Sequence, residues 1–353
     1  MSVSAPSLAE IGARFLAFAE TECGPYAPTY DRLSRAIARD PTAAVCVREA
    51  RPGQQLPLLF LGAAHLLLGD SIRDLGEGEF SQWCHANQGR LAHECATRLV
   101  QTNEARRCSF LLPVMSHVSA VDPGRHLALV EVGASAGLLL VFDRYRYEYR
   151  FMPDATVAAT AGDPDSAVLV ACDLRGSRIP PVDFDPRLLS SRTGIDLAPV
   201  WPGDPDAVAW LRALVWPDHP DRRARLDAAL AIVTDEPVPM VRGDALAVLP
   251  AVLESQRRDV TPVVFHHAML EHFDRPAAQR FRDLVPRLAA ARGGDLVWII
   301  AEAGTPSGRR IEVVDFRTSE PAPVSMADVQ PHGAWIRWHS ARGATVAPSP
   351  ERG

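Results

Sequence analysis

The 353-residue chain has few of the features that mark several large classes of protein. Its six cysteines (Cys23, Cys46, Cys84, Cys95, Cys108 and Cys172) form no C-x-x-C pair and no framework spacing. That excludes a disulfide-stapled module and predicts reduced, mostly buried thiols. Basic residues are arginine rather than lysine, and they form no block. With a net charge of −6 and a pI near 6.0, no nucleic-acid partner is expected. Residues 1–18 lack a basic segment followed by an unbroken apolar run, so no signal peptide is expected. The greasiest run, residues 56–68, is too short to span a bilayer and contains His65, so no membrane partner is expected. His267, Glu271 and His272 form neither H-E-x-x-H nor H-x-x-E-H, and Cys84-His85 with His93 and Cys95 match no zinc spacing, so no metal is expected. What remains is a cytoplasmic globular protein with 47% hydrophobic residues, enough to build two domains.

One stretch implies chemistry. Residues 127–132 (Leu-Ala-Leu-Val-Glu-Val) are apolar almost throughout, as a central parallel strand covered on both faces requires. Gly133-Ala134-Ser135-Ala136-Gly137 then gives a tight turn of small residues, with a helix expected from Gly137. Helix N–H groups and the helix dipole at that point suit a ligand with polar or anionic oxygens. A dinucleotide fingerprint fails at two of its three glycines. Two readings stay open: the G-x-S-x-G elbow of serine hydrolases, and a cofactor turn whose acidic residue, Glu131, stands two positions before the first glycine. No strand series or oxyanion loop precedes residue 126, which favours the second.

The rest of the chain is laid out around this stretch. Apolar residues at helical spacing (Ile11, Phe15, Phe18, Ala19; Leu33, Ile37, Ala38) predict an all-helical domain over residues 1–122, stopped repeatedly by Gly and Pro. Near its end, Asn103, Glu104 and Arg107 are either an ordinary helix start or substrate-binding residues facing the Gly133 turn. An α/β domain is expected over 123–345, with an insertion at about 150–190 and a tail at 346–353, frayed from Gly343 onward. Residues 144–149 alternate tyrosine with charge; a substrate-facing patch is one reading, and a helix end at a sheet edge is the one expected. Residues 155–162 and 167–173 are expected to pair as a hairpin. A second strand ends at Asp196, where a carboxylate can accept from two ribose hydroxyls. A third ends at Gly243-Asp244, and residues 261–273 give the fourth strand and its exit, with His266 expected to point at the reacting centre. A fifth follows at 295–302, and 311–316 with 334–339 suit a terminal antiparallel pair.

With Glu131-x-Gly133-x-Ser135-x-Gly137, Gly194-Ile195-Asp196, Gly243-Asp244 and Leu270-Glu271-His272 in strand order, residues from about 123 to 340 resemble class I S-adenosylmethionine (SAM) methyltransferases. More narrowly, the chain resembles the bacterial family DUF2332. The shared features are Gln101-Thr102-Asn103-Glu104 with Arg107-Cys108, residues 131–137, Arg192 with Gly194-Ile195-Asp196, residues 211–217, Arg242-Gly243-Asp244-Ala245 and Val264-Phe265-His266. The resemblance implies a Rossmann-like doubly wound α/β sheet with an N-terminal helical domain. It also implies SAM as cofactor, held by Glu131, Gly133, Ala134, Ser135, Gly137, Asp196, Gly243 and Asp244. The sequence departs from the methyltransferase pattern at Ser135, in the long insertion, and in lacking N/D-P-P-Y after the fourth strand. The expected reaction is methyl transfer to an oxygen or nitrogen of a small molecule, with His266 as general base. A non-catalytic SAM-binding module and a serine hydrolase using Ser135 are the alternatives.

Overall fold

The computed structural model describes residues 5–305, 308–339 and 344–345. Its helices are α1 (Leu8–Phe18), α2 (Pro28–Arg39), α3 (Leu56–Leu68), α4 (Glu77–Ala86), α5 (Gln88–Thr97), α6 (Cys108–Ser119), α7 (Pro205–Ala213), α8 (Pro220–Asp235), α9 (Ala245–Glu254) and α10 (Arg275–Ala291). Its strands are β1 (Leu127–Val132), β2 (Arg146–Phe151), β3 (Thr156–Gly162), β4 (Leu169–Leu174), β5 (Arg178–Ile179), β6 (Leu189–Asp196), β7 (Met240–Arg242), β8 (Thr261–His267), β9 (Val297–Thr305), β10 (Gly308–Asp315), β11 (Val324–Val329), β12 (Trp335–Trp338) and β13 (Ala344–Thr345).

The helical unit comprises Met1–Asn103 together with Gly203–Leu226. A capping box opens α1: the Ser7 hydroxyl accepts from the Glu10 N–H at 3.2 Å, and the Glu10 carboxylate accepts from the Ser7 N–H at 2.7 Å. The centre of the unit is α3, whose Leu59, Phe60, Leu61, Ala63 and Ala64 are fully buried. The stretch Leu56–Arg73 is apolar enough to cross a membrane by composition, but α3 ends at Gly69, where φ is +61°, and its side chains form the core of this unit. Gly62 lets α7 approach, since a Cβ there would lie 3.0 Å from Leu214 and 3.1 Å from Trp210. The buried His65 donates from Nδ1 to the Ala213 carbonyl at 2.9 Å, and Trp210 donates to the Leu99 carbonyl at 2.8 Å. The segment 203–226, expected in the α/β domain, thus completes the helical core. The unit also ends at Asn103 and not near residue 122, so α6 belongs with the sheet.

The second unit comprises Glu104–Pro202 and Asp227–Gly353 and is built on an eleven-stranded sheet in the order β3-β2-β4-β12-β11-β10-β9-β8-β1-β6-β7. Five parallel strands, β7-β6-β1-β8-β9, form one half. The chain leaves β1 for β6 and β7 on one side, then returns to the other side for β8 and β9. The architecture is α/β, with a large, mostly parallel sheet. Every residue of β1 and of β8 is buried, as expected of strands covered on both faces. On one face Val130, Val132, Ile195, Val264 and Trp298 pack with α9 and α10. The other face carries α6, whose Phe110 stacks on His267.

Several expectations are corrected. Residues 146–151 form strand β2, with Tyr145, Tyr147 and Tyr149 fully buried and each hydroxyl donating to a main-chain carbonyl, not a helix end. The alternation of tyrosine and charge was the period-2 signature of a half-buried strand. The partner of β3 is β2, antiparallel, while β4 runs parallel to β2, so the expected hairpin of 155–162 with 167–173 is replaced. The terminal strands β10 and β12 do not pair with each other; each pairs antiparallel with the intervening β11. No α-helix starts at Gly137: Leu138–Arg144 is a 3-10 segment kinked at Val141. Of the tail expected from Gly343, Ala344–Thr345 pairs with β5. The remaining tail residues lie outside the described residues.

Candidate functional site

The turn after β1 is held to the end of β6 by main-chain and carboxylate bonds. Gly133 and Ala134 donate to the Ile195 carbonyl at 2.8 and 3.2 Å. The Ser135 N–H donates to Asp196 Oδ2 at 2.8 Å, and the Ala198 N–H donates to Asp196 Oδ1 at 2.8 Å. Gly137 closes the turn onto the Ala134 carbonyl at 2.7 Å. Positive φ angles recur at every second residue: Gly133 (+82°), Ser135 (+50°) and Gly137 (+73°). Glycine adopts such angles freely; Ser135 adopts its own against a steric preference and is held there by Asp196 on one side and by Val200, whose N–H donates to the Ser135 carbonyl at 3.0 Å, on the other.

A Cβ on Gly133 would sit 3.2 Å from the Met269 side chain, so the exit of β8 abuts this turn. Ala134 is buried in the same crease, 2.8 Å from the position a Cβ on Gly194 would take.

Each sequence-predicted residue has a definite place. Glu131, Gly133, Ala134, Ser135, Gly137 and Asp196 come together at the carboxyl ends of β1 and β6. Gly243 donates to the Asp196 carbonyl at 2.9 Å, which ties the end of β7 to them. Asp244 is exposed and serves as the cap of α9, accepting from the Leu246 N–H at 3.0 Å. Glu104 is buried, and its carboxylate accepts from the Arg106 N–H at 3.0 Å. Arg107 donates from Nε to the Pro331 carbonyl at 3.2 Å. Asn103 is the last residue of the helical unit's first segment.

His266 does not stand where a general base would. Its ring lies on the α10 side of the sheet, fully buried between Phe281 and Trp298, and its Nδ1 donates to Glu302 at 2.7 Å. The same Glu302 oxygen accepts from the Met269 and Leu270 N–H groups at 3.0 and 3.1 Å. Burial pushes the Glu302 carboxyl up, but bonding to His266 and Leu270 and the charges of His266 and Arg309 outweigh it and leave it below the usual range. The ring that faces the opposite side is His267. Strand parity and the pairing of Glu131 with Phe265 put Glu131 and His267 on one face, one pleat apart.

Both ring nitrogens of His267 and one oxygen of Glu131, Oε2, are buried without a hydrogen-bond partner. Burial, followed by the charges of Arg107, Arg309 and His332, holds the His267 ring well below its ordinary range, so it is neutral. Burial and the nearby Asp196 raise Glu131 well above its ordinary range, with Arg107 opposing them. Sequence reasoning missed His267 because every residue of β8 is buried and no alternation reveals which histidine faces which side. A further positive φ on a residue with a side chain, at Ala268 (+56°), turns the chain immediately after it.

Two cavities lie elsewhere. One of about 330 Å³ is lined by residues of α6, β10 and β11, including His117, Asp315 and Met326; a small one lies in the helical unit around His65 and Trp216. Neither includes the turn residues.

The fold and turn thus define an α/β protein whose candidate site lies at the carboxyl ends of parallel strands. A family model for uncharacterized proteins conserved in bacteria, DUF2332, matches residues 12–338, and the chain belongs to that family. No curated protein and no solved structure matches it.

Proposed function

We propose that this protein is a cytoplasmic SAM-dependent methyltransferase acting on an oxygen or nitrogen of a small molecule. The observation that carries the reading is the latch between β1 and β6: the Gly133 turn and the Asp196 carboxylate meet beside the point where strand order reverses. In open α/β sheets that crevice is where nucleotide-like ligands bind. The strand order β7-β6-β1-β8-β9 supports a doubly wound, Rossmann-like arrangement. The meander β10-β11-β12 and the β2-β4 extension are what this chain adds to it.

The residues fit the cofactor. The Asp196 carboxylate already fixes the turn through the Ser135 and Ala198 N–H groups, and an ionised carboxylate has about four lone-pair sites with which to accept from ribose hydroxyls as well. Glu131 brings a buried oxygen with no partner to the same strand ends. Glycine at 133 lets the turn take φ +82° with the Met269 side chain packed against it. Bound SAM would supply an electrophilic methyl group. The chain's contribution is to hold donor and acceptor in line and to exclude water, with Asp196 orienting the sugar and the turn backbone fixing its depth.

Calorimetry of the intact protein with SAM tests this directly. Wild type should bind, and Gly133→Val should not, because a branched side chain at φ +82° meets Met269. Absence of binding by wild type at millimolar SAM would overturn the reading.

One observation favours a second reading. Ser135 at φ +50° within G-x-S-x-G has the strained backbone of a nucleophile elbow. Against it, the segment that follows is a kinked 3-10 turn and not the helix an elbow feeds. Covalent labelling of Ser135 by a fluorophosphonate would decide for the hydrolase.

A further inference from the structure

We infer that the α6 face of the sheet at the exit of β8 is a binding site for an anionic group, a carboxylate or phosphate, with His267 and Arg309 as its direct ligands. This rests on the methyltransferase reading only in naming the group's owner as the methyl acceptor; the site itself stands on its own geometry. His267 pairs with Ala301 on β9, and Ala301 with Ile311 on β10. One pleat further, Ala303 pairs with Arg309, which places Arg309 on the same face, two strands (roughly 10 Å) to the side of His267 and about 7 Å further along, at the carboxyl ends of β8 and β9.

Both groups are unsatisfied in a way that points to a ligand. The His267 side chain belongs to a residue only 8% exposed, yet neither ring nitrogen has a hydrogen-bond partner. A neutral imidazole still carries one N–H to donate. Arg309, with its side chain 12% exposed, has a buried Nε with no partner. Buried donors without acceptors are costly, by about 1–3 kcal/mol each, and two of them on one face point to an acceptor that binds there.

The field has the matching sign. Arg107 and Arg309 both act on His267 as positive charges. Their surroundings are fixed by main-chain contacts: Arg107 donates to the Pro331 carbonyl, and Arg106 donates to the His332 carbonyl at 3.2 Å. Gly333 packs so tightly that a Cβ there would overlap the Arg106 carbonyl oxygen. Phe110 covers the His267 ring, with centroids 5.8 Å apart and planes within 23°. The one carboxylate bonded to the Arg309 guanidinium among the described residues is Glu271, whose side chain is 42% exposed on the short segment after β8. An incoming carboxylate or phosphate would take the place of Glu271 on Arg309 and accept from the His267 N–H. Bidentate recognition of either anion is what a guanidinium provides.

The test is anion titration of the intact protein without SAM, using succinate and inorganic phosphate as probes, followed by the His267 imidazole NMR signals and by calorimetry. Wild type should show one saturable site that shifts the His267 resonances. Arg309→Met should weaken it at least tenfold. Glu271→Gln should tighten it severalfold by freeing the guanidinium, a change of opposite sign that misfolding cannot mimic. Arg187→Met, at an exposed arginine paired with Asp185, should change nothing.

A stronger response to succinate identifies a carboxylate ligand, and a stronger response to phosphate identifies a phosphate. His267 resonances unmoved by both anions, or equal affinities in wild type and Glu271→Gln, would overturn the proposal. Anion binding without SAM binding would leave this site standing and remove the methyltransferase reading; SAM binding without anion binding would do the reverse.

Discussion

His266 and His267 are neighbours in sequence and face opposite sides of the same sheet, yet only one of them is fitted into its surroundings. On the α10 side, His266 has Glu302 on Nδ1 and aromatic rings around it, and Glu302 in turn gathers two main-chain N–H groups. On the α6 side, His267 has no partner on either ring nitrogen and Glu131 none on Oε2, whereas His266 lacks a partner only on Nε2 and Trp298 on Nε1. The difference lies in the partner and not in burial: Glu302 ties His266 to the chain after β8, while no group among the described residues does the same for His267. Folding tolerates unpaired buried groups where function requires them.

The sharpest break of that contrast is His266→Ala. It removes a fully buried ring and the hydrogen bond to Glu302, and should cost about 3 kcal/mol in denaturant unfolding. SAM affinity per folded molecule should be unchanged. The acid limb should change too. Because the Glu302 carboxyl is depressed in the fold, it contributes stability above its unfolded value near 4.5 that is lost as pH falls through the lower folded value. Without His266 that loss should shrink. An unaltered unfolding midpoint would mean that the two faces do not differ as described.

Glu131→Gln should act in the opposite sense and more weakly. The Glu131 carboxyl is raised in the fold, so the folded protein keeps a proton that the unfolded chain releases. Wild-type stability from this group is therefore greatest below pH 4.5 and declines as pH rises. Removing the titrating group should stabilise the protein by about 1 kcal/mol at pH 8, or about 2–4 °C in Tm, with the gain fading toward pH 4. Thermal melts at both pH values measure it. A variant less stable than wild type at pH 8 would show that Glu131 is paired after all.

Why the sequence revealed one face and concealed the other follows from periodicity. The strands β1, β7 and β8 were legible as short apolar runs and β6 only by its Gly194-Ile195-Asp196 end, and Gly133, Asp196 and Gly243 mark the ends of β1, β6 and β7. Where both faces of a strand are buried, the pattern no longer alternates, and Val264-Phe265-His266-His267 cannot say which side chain faces which layer. The role of residues 203–226 was hidden for another reason. α7 joins the helical core through Trp210 and Ala213, contacts separated by more than a hundred residues from α3, and no local pattern encodes them. The Tyr145–Tyr149 alternation did carry its answer, since a period of two belongs to a strand; reading it as a helix end set expectation about the insertion above the pattern itself. Leu138–Arg144 instead forms a 3-10 segment kinked at Val141, which its apolar pattern does not distinguish from a buried helix.

The smallest effect is expected at Ser135, and it separates the two readings of the turn. Ser135 holds φ at +50°, a left-handed backbone that costs a residue with a side chain about 1 kcal/mol, and glycine would adopt it without that cost. Glycine also loosens the unfolded chain, which offsets part of the gain. Ser135→Gly should therefore shift stability by less than about 1 kcal/mol, toward the more stable side. The N–H that Asp196 accepts remains in the variant, so the latch to β6 survives. SAM affinity should stay within about tenfold of wild type, the weight of one modest hydrogen bond. A serine nucleophile behaves otherwise: its removal would abolish ester hydrolysis and fluorophosphonate labelling while leaving the fold intact. Measuring SAM binding and probe labelling on the same Ser135→Gly preparation assigns the turn, since the backbone it needs is present in both proteins and only the side chain with its hydroxyl is missing.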